Sequence, residues 1–213
     1  MADVTQPERI RDPERTRAEL LEVATEVFAE QGLSGARVDE IAERTRTTKR
    51  MIYYYFGGKE QLYRAVLEAA YRGIREAEQA IHAADLPPVE AVRRIAELTF
   101  DHHHAHPAFI RLVSIENIHR GEHLRQVESL RDLSRPVATL LDDALERGRA
   151  SGEFRTDVDA IDLHMLISAY CVFQVANNAT FGYLFDRDMG APDIRARHRR
   201  ILGDVVVAWL THR

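Results

Sequence analysis

Apolar residues along this chain recur mainly at intervals of three and four, the spacing of one face of an α-helix. The first helical segment has its apolar positions at Leu20, Leu21, Ala24, Val27 and Phe28. Asp12-Pro13-Glu14 precedes it with an N-cap residue, a proline at the first helical position and an acid in the first turn. Gly32 ends the segment. Sustained alternation of apolar and polar residues is missing throughout, so the pattern predicts an all-α protein.

The same spacing predicts a series of later helices, with proline, glycine or aspartate at their boundaries. Two short helices are expected between residues 38 and 54. The later ones are expected over residues 59–83, 89–105, 107–119, a stretch through Pro136 to Ser151-Gly152, 157–180 with Asp157 as its cap, and 193–210. The expected total is therefore nine helices.

The segment VDEIAERTRTTKRMIYYYFGGKEQL, from Val38 to Leu62, is the most informative part of the sequence. Val38, Ile41 and Ala42 form a narrow apolar stripe, which the polar turn of residues 44–47 interrupts. Thr48 is then placed to cap a second short helix with its hydroxyl. That helix carries two cations and two tyrosines near its N-terminus, as suits insertion into the major groove of DNA. The segment is predicted to be a helix-turn-helix.

The run I-A-E-R…T-K-x-x-I-Y-Y-Y-F-x-x-K-E-x-L in this segment resembles the DNA-binding domain of the tetracycline-repressor (TetR-type) family. Motif similarity covers residues 12–75, and the rest of the chain is similar to the family in length and helical pattern. The resemblance implies a helix-turn-helix domain over residues 12–58, a connecting helix over 59–83, and a helical ligand-binding and dimerisation domain over 85–213. Arg46 stands where the family usually has glycine, Thr47 replaces an apolar residue, and Gly57-Gly58 replaces a pair such as Pro-Ser.

The resemblance also implies which residues contact DNA. The candidates are Arg37, Thr47, Thr48, Lys49, Arg50, Tyr53, Tyr54 and Lys59. Arg37 and Lys59 are expected at phosphates, and Thr47 and Thr48 at phosphates too, through a hydroxyl or a backbone N–H at a helix start.

Lys49 and Arg50 are expected at base edges or adjacent phosphates, and the two tyrosines at the DNA backbone or thymine methyl groups. For Tyr53, packing inside the domain is an equal alternative. The neighbouring Ile52, Tyr55 and Phe56 are expected to hold the helices together.

Charge along the chain is uneven. The whole chain carries a net charge of −5, yet residues 37–59 contain six cations against three acids. This island has a charge of +3 and the remainder carries −8. A basic island on an acidic chain fits a protein that touches DNA through one face rather than one that coats nucleic acid.

The carboxy-terminal part is expected to bind a small-molecule effector whose identity the sequence does not reveal. The candidate ligand-binding residues are Phe100, His103, Phe109, Glu116, Phe173, Gln174, Asn177 and Asn178. Buried amides are either hydrogen-bonded internally or face a cavity. The first of these two interpretations has slightly more weight, and aromatic residues at helical spacing are often plain core.

Histidines dominate the segment Asp101-His102-His103-His104-Ala105-His106. His102 and His106 have a spacing that can hold one metal ion together with a third ligand. Consecutive histidines spread around a helix, however, and their interaction with the dipole of the ending helix explains them without a metal. We therefore expect no metal, no cofactor and no catalytic residues, with a metal-dependent enzyme as a remote alternative.

Two carboxy-terminal helices are unusually apolar, including the one predicted over residues 157–180. Pairing of these helices with the same helices of a second copy would bury their surface in a four-helix bundle, so a homodimer is expected. A dimer presents two recognition helices and fits a near-palindromic operator of double-stranded DNA.

The single Cys171 excludes an intramolecular disulfide, and the sequence shows neither a signal peptide nor an 18-residue apolar run. A cytoplasmic protein without a membrane span is expected. The expected function is a DNA-binding transcriptional regulator, most simply a repressor that a small-molecule effector releases. A constitutive, effector-independent DNA-binding protein is the alternative.

Overall fold

The computed structural model describes residues 12–212. This part of the chain contains ten α-helices and no strands, so the prediction of an all-α fold is confirmed. The helices are α1 (Pro13–Gly35), α2 (Val38–Arg44), α3 (Lys49–Phe56), α4 (Lys59–Gln79), α5 (Pro88–Ala105), α6 (Pro107–Ile118), α7 (Ser129–Ala150), α8 (Ala160–Ala176), α9 (Asn178–Leu184) and α10 (Pro192–Thr211). Short 3₁₀ turns lie at Ala83–Asp85 and Leu124–Gln126.

The start of α1 agrees with the sequence, because the Asp12 side chain accepts a hydrogen bond from the backbone N–H of Glu14 at 3.1 Å. Gly32 interrupts the helix in a left-handed conformation, with φ of 66°. The backbone N–H of Ala36 then bonds to the Gly32 carbonyl at 3.2 Å, which closes the last turn.

The helix predicted over residues 157–180 is two helices, which accounts for the tenth. α8 ends at Ala176, with Asn177 as its C-cap, and α9 starts at the next residue. The cap of α8 is also not Asp157, since the Asp159 carboxylate accepts from the N–H of Asp162 at 2.7 Å. Asp157 instead pairs with Arg155 at 2.6 Å.

The chain divides into two compact units between Val66 and Leu67, within α4. The first unit has a small core in which large apolar side chains from α1, α2, α3 and the first turns of α4 are fully buried. They are Leu20, Val27, Phe28, Ile41, Ile52, Leu62 and Tyr63. The rings of Phe28 and Tyr63 meet edge to face at 5.0 Å. Burial of this surface is the main favourable term that holds α2, α3 and the first turns of α4 against α1.

The second unit is built mainly on α5, α7, α8 and α10, whose apolar faces meet in one large core. α5 packs against α10 along its length, and α8 contacts α5, α7 and α10. In the described part of the chain, no single helix is long and apolar enough to span a membrane. Only α8 and α9 taken together meet that test, and they are bent by 71°.

Candidate nucleic-acid interface and ligand site

The turn between α2 and α3 closes with a pair of backbone hydrogen bonds. The N–H of Arg46 bonds to the Glu43 carbonyl at 3.0 Å, and the N–H of Thr47 bonds to the Ala42 carbonyl at 2.9 Å. Arg46 adopts the left-handed conformation between them, with φ of 51°. This is the Schellman arrangement that ends many helices and usually has glycine at the left-handed position. The turn therefore keeps its geometry although arginine replaces glycine.

α3 begins at Lys49 with Thr48 at its N-cap, as predicted, but the Thr48 side chain makes no capping hydrogen bond. The prediction that its hydroxyl caps the helix is therefore wrong. The backbone alone closes the first turn, with Met51 N–H bonding to the Thr48 carbonyl at 2.9 Å. Thr48 is exposed and Thr47 is half-buried, so both stand at the outer surface of this helix start.

The two candidate tyrosines of α3 point away from the core of the first unit. Ile52 is fully buried, whereas the exposed fractions of Tyr53 and Tyr54 are 53% and 77%. Packing therefore does not account for Tyr53. Tyr55 and Phe56 are half-buried, and the guanidinium of Arg17 lies 5.2 Å from the centre of the Phe56 ring.

The candidate cations lie near the starts of three helices. The Lys49 ammonium pairs with the Asp39 carboxylate at 2.5 Å, and Arg37 approaches the same carboxylate at 4.0 Å. Lys59, at the start of α4, donates to the Ser34 carbonyl at 3.4 Å. Arg50 is exposed and has no ion pair within residues 12–212. Exposed pairs of this kind are worth at most about 1 kcal/mol, so phosphates can replace their partners.

The predicted ligand-binding residues do not converge on one site. Glu116 is buried and anchors the following loop, because its carboxylate accepts from the backbone N–H groups of His123 and Leu124 at 3.2 and 3.0 Å. Asn177 and Asn178 lie at the junction of α8 and α9, where Asn178 is exposed.

The buried amide of Gln174 meets His198 of α10. Its Nε2 donates to His198 Nδ1 at 3.1 Å, and the Tyr170 hydroxyl lies 2.7 Å from the same nitrogen. The amide thus has an internal partner, as the first interpretation of the sequence expected. Among the aromatic candidates, Phe100 is part of the large core and Phe173 is 42% exposed.

His103 and Phe109 do come together, in a smaller cluster between α4, α5 and α6. Their ring centres are 5.6 Å apart and nearly perpendicular. Tyr71 meets Phe109 edge to face at 5.1 Å, and His102 meets it at 6.3 Å. Both His103 and Phe109 are buried.

A buried ion pair on α4, absent from the sequence-based candidates, lies close to these rings. Nη1 of Arg75 is 2.6 Å from Oε2 of Glu78, with side-chain exposures of 10% and 3%. Burial raises the pKa of Glu78 to about 7, although the neighbouring Arg75 charge lowers it. The guanidinium also influences Tyr71, His102, His103 and His164, because its charge acts on the pKa of each of these groups.

The imidazoles of this cluster are uncharged at neutral pH. Burial, followed by repulsion from the neighbouring imidazole, lowers the pKa of His102 and of His103 to about 4. Uncharged rings gain little from a helix dipole, so the explanation offered for the histidine run from the sequence is wrong for these two residues. Within residues 12–212, no group of three or more His, Cys, Asp or Glu side chains is arranged to hold a metal ion.

A pocket of about 300 Å³ opens beside His102. Its walls come from α4 and α5, and the residues that line it are Ala77, Arg94, Leu98, Asp101, His102 and Ala105. The volume lies at the lower end of the range for small-molecule sites. His102 belongs both to this pocket and to the buried cluster around Arg75.

Each of the two compact units matches a known protein family. Residues 20–66 match the family described as bacterial regulatory proteins, tetR family. Residues 88–206 match the family described as tetracyclin repressor-like, C-terminal domain.

Curated relatives match most of the chain. The HTH-type transcriptional repressor NicS of Pseudomonas putida is 31% identical over 202 residues, which are 95% of each chain. The HTH-type transcriptional repressor SCO4008 of Streptomyces coelicolor is 32% identical over 163 residues, covering 75% of this chain and 78% of that one. The solved structure of the ketosteroid transcriptional regulator KstR2 of Mycobacterium tuberculosis shares the fold, with a TM-score of 0.65 at 20% identity and 98% coverage of both chains. The helix-turn-helix geometry, the two family matches and these relatives show that the chain belongs to the TetR family of bacterial transcriptional regulators.

Proposed function

We propose that this protein is a homodimeric, cytoplasmic transcriptional repressor that binds a near-palindromic operator of double-stranded DNA and is released by a small-molecule effector. No catalytic step is part of this proposal. The helix-turn-helix domain is assigned to residues 12–58, and ligand binding and dimerisation to residues 85–213.

The observation that carries the proposal is the outward face of α3. Arg50, Tyr53 and Tyr54 are exposed there, while Ile52 of the same helix is fully buried and fixes its orientation within the first unit. A short helix with exposed arginine and tyrosine side chains has the donors and the ring surfaces that base edges and phosphates accept. Tyr54 meets the ring of Tyr55 at 5.2 Å, yet Tyr53 and Tyr54 each leave more than half of their surface in water, which the core of the unit does not require.

Repression, rather than activation, is proposed because NicS and SCO4008 are transcriptional repressors and match the chain over most of its length. Release by an effector is supported by the buried polar cluster around Arg75 and by the pocket beside His102. Buried polar groups without complete hydrogen bonding are costly, and a ligand that completes them explains why they are kept.

Replacement of Lys49 and Arg50 by alanine tests the DNA-binding part. Removal of both cations should weaken binding to the operator by roughly two orders of magnitude or more, since a good base contact is worth about 1–3 kcal/mol. The dissociation constant is measured by fluorescence anisotropy at fixed salt, with helicity followed by circular dichroism.

The matched control removes two exposed arginines from the second unit, Arg125 and Arg135, which changes the net charge by the same amount. This control should leave operator affinity within a few-fold of the wild type. Equal affinities of the wild type and the Lys49→Ala/Arg50→Ala variant would show that α3 is not the recognition helix.

A further inference from the structure

The polar cluster in the second unit has more hydrogen-bond donors than acceptors. Arg75 is 8% exposed and carries a permanent charge with five N–H groups. Glu78 accepts from one of them, on Nη1, at 2.6 Å. Nε of Arg75 is buried and makes no hydrogen bond within the described part of the chain.

The two neighbouring imidazoles also have buried nitrogens that lack a hydrogen bond. Nδ1 of His102 and Nδ1 of His103 are buried and make no hydrogen bond of good geometry among residues 12–212. The Thr99 backbone, one turn earlier on α5, is close enough to His103 to raise the pKa of its imidazole, against the larger lowering by burial. His103 is only 5% exposed. A buried polar atom without a partner costs about 1–3 kcal/mol, and three such atoms, one in the Arg75 guanidinium and two on neighbouring imidazoles, are unusual for a structural cluster.

The group that completes this arrangement must accept hydrogen bonds and carry negative charge. A carboxylate has only acceptor oxygens and matches the planar guanidinium in a two-point contact. Glu78 shows that a carboxylate reaches Arg75 at this place, at 2.6 Å. A phosphate dianion would bring a second negative charge into a site that holds one arginine, at a larger desolvation cost.

Building on the proposed function, we propose that the effector is a small carboxylic acid whose carboxylate binds Arg75 in place of Glu78. His102 and His103 supply the additional donors. Each imidazole is neutral and therefore has one N–H to offer, whose position follows its hydrogen-bonding partner.

Glu78 is a counter-ion that a ligand can displace. Burial outweighs the attraction of Arg75 in setting its pKa, which is raised to about 7. The carboxyl group can therefore take up a proton when a ligand carboxylate replaces it, so that one negative charge remains beside Arg75. This keeps the charge of the site balanced before and after binding.

The residues around the cluster determine which group can be attached to the ligand's carboxylate. Tyr71 and Phe109 pack edge to face against each other beside the cluster, with ring centres 5.1 Å apart. The pocket beside His102, with a volume of about 300 Å³, adds the apolar side chains of Ala77 and Leu98, and its walls also include the charged Arg94 and Asp101. An acid with one ring or a short alkyl chain fits these walls, since rings favour edge-to-face contacts.

The binding test compares acids with their uncharged amides on the full-length protein. Benzoate, phenylacetate and hexanoate are titrated by calorimetry at constant ionic strength, alongside benzamide, phenylacetamide and hexanamide. At least one acid is expected to bind at least about tenfold more tightly than its amide, because a hydrogen bond to a charged group is worth about 1.5–3 kcal/mol. Bound acid should also raise the melting temperature.

The variants separate the site from general charge effects. Arg75→Gln/Glu78→Gln removes both charges and leaves no unpaired ion, and should weaken binding of that acid at least about tenfold. Glu78→Gln alone should tighten it, because the competing carboxylate is lost. The control, Arg72→Gln/Glu68→Gln, removes an ion pair of 2.8 Å on the same helix, whose side chains are 50% and 34% exposed. Glu68→Gln keeps an oxygen that can accept from the Ser129 hydroxyl, as Glu68 does at 3.0 Å, so this variant should bind as the wild type does.

Failure of the acids to bind in the millimolar range, or equal binding by the wild type and Arg75→Gln/Glu78→Gln, would overturn the assignment. A neutral molecule that releases the operator equally well from both proteins would do so too, while leaving the effector-released repressor intact. An acid that binds through Arg75 but leaves operator binding unchanged would support the carboxylate site and reject the proposed mode of regulation.

Discussion

In the turn between α2 and α3, Arg46 is the residue whose backbone conformation is least favourable for its side chain. It is left-handed, with φ of 51°, at the position that ends α2. A left-handed non-glycine residue costs roughly 1–2 kcal/mol, whereas glycine there loses about 0.5–1 kcal/mol of chain entropy on folding. The first cost is the larger, so arginine is less favourable than glycine at this position.

We therefore expect Arg46→Gly to stabilise the protein by roughly 0.5–1 kcal/mol, the difference between these terms. The free energy of unfolding is measured by urea denaturation. Glu43→Gly, at an exposed helical position of α2, is the control and should lose about 1 kcal/mol. Destabilisation by both substitutions would mean that the Arg46 side chain contributes more than its backbone conformation costs.

The buried histidines give stability a pH dependence of definite sign. His102 and His103 have pKa values of about 4 in the folded chain, against about 6.5 in the unfolded one. Between these values the unfolded chain binds more protons, so stability falls as pH falls from 6.5 to 4. Glu78 acts in the opposite sense, because its raised pKa of about 7 lets the folded chain hold a proton that the unfolded chain releases above about 4.5.

The stability lost through two histidines is larger than the stability gained through one glutamate. The free energy of unfolding is therefore expected to fall as the solution is acidified from pH 6.5 to 4.5. His103→Asn should reduce the slope in this interval by about 1.4 kcal/mol per pH unit, one proton's worth. Glu78→Gln should make the slope steeper by a similar amount. Denaturation curves at several pH values measure both, and slopes that change in the same direction would contradict this account.

At the scale of elements, the helix starts marked by proline at α1, α5 and α6 were predictable. Pro136, in contrast, lies inside α7, which begins at Ser129, and the aspartate expected to cap α8 was the wrong one. The starts of α1, α5 and α6 agree with the sequence within one residue. Asp157 and Asp159 both have side chains that cap helices, and only the packing of α8 decides that Asp159 does so. The break at Asn177 has no proline or glycine beside it and interrupts an apolar run.

The candidate DNA-contacting residues were predictable from the sequence, whereas the buried pair on α4 was not. Exposed residues of the helix-turn-helix follow from a sequence motif, and their positions near the starts of α2, α3 and α4 agree with it. Arg75 and Glu78 were missed because oppositely charged residues three apart on a helix normally lie in solvent. Their spacing from Tyr71, at i, i+4 and i+7, does place all three on one face of α4, and the neighbouring histidine run was the other available signal.

Asp39 of α2 limits the positive charge that the first unit can offer to DNA. Its carboxylate pairs with Lys49 at 2.5 Å and lies 4.0 Å from Arg37. Asp39→Asn should therefore strengthen binding to specific and non-specific DNA alike, by a few-fold, and most strongly at low salt. Anisotropy titrations across a salt series measure this.

Glu30→Gln, at an exposed position on α1, is the control for Asp39→Asn, since it removes the same charge and Glu30 has no ion pair among residues 12–212. An equal gain from both would mean that the gain is a general charge effect. A loss of specific binding by Asp39→Asn would instead show that the carboxylate is needed to position Lys49.

At the scale of the whole molecule, the second unit exposes apolar side chains on two helices that pack against each other. Ile161 and Met165, one turn apart on α8, are 64% and 63% exposed, and Val205 of α10 is 45% exposed. Trp209 is half-buried and packs against the core. A repeated set of exposed apolar residues on adjacent helices is typical of an interface, and a second copy of the same two helices complements it by twofold symmetry.

A dimer through α8 and α10 should be lost when a charge is placed on this surface without disturbing the core. Met165→Glu and Val205→Glu alter residues that are exposed in a single chain, so each should give a folded monomer, because an unpaired carboxylate buried in the bundle is costly. Size-exclusion chromatography with light scattering measures the mass, and circular dichroism confirms folding. Ile118→Glu, at a 76% exposed position at the end of α6, should remain a dimer. Dimers of unchanged stability in both test variants would place the interface elsewhere.

Monomers should also bind an operator half-site much more weakly than dimers bind the full operator, since two recognition helices on one dimer raise the effective concentration of the second contact.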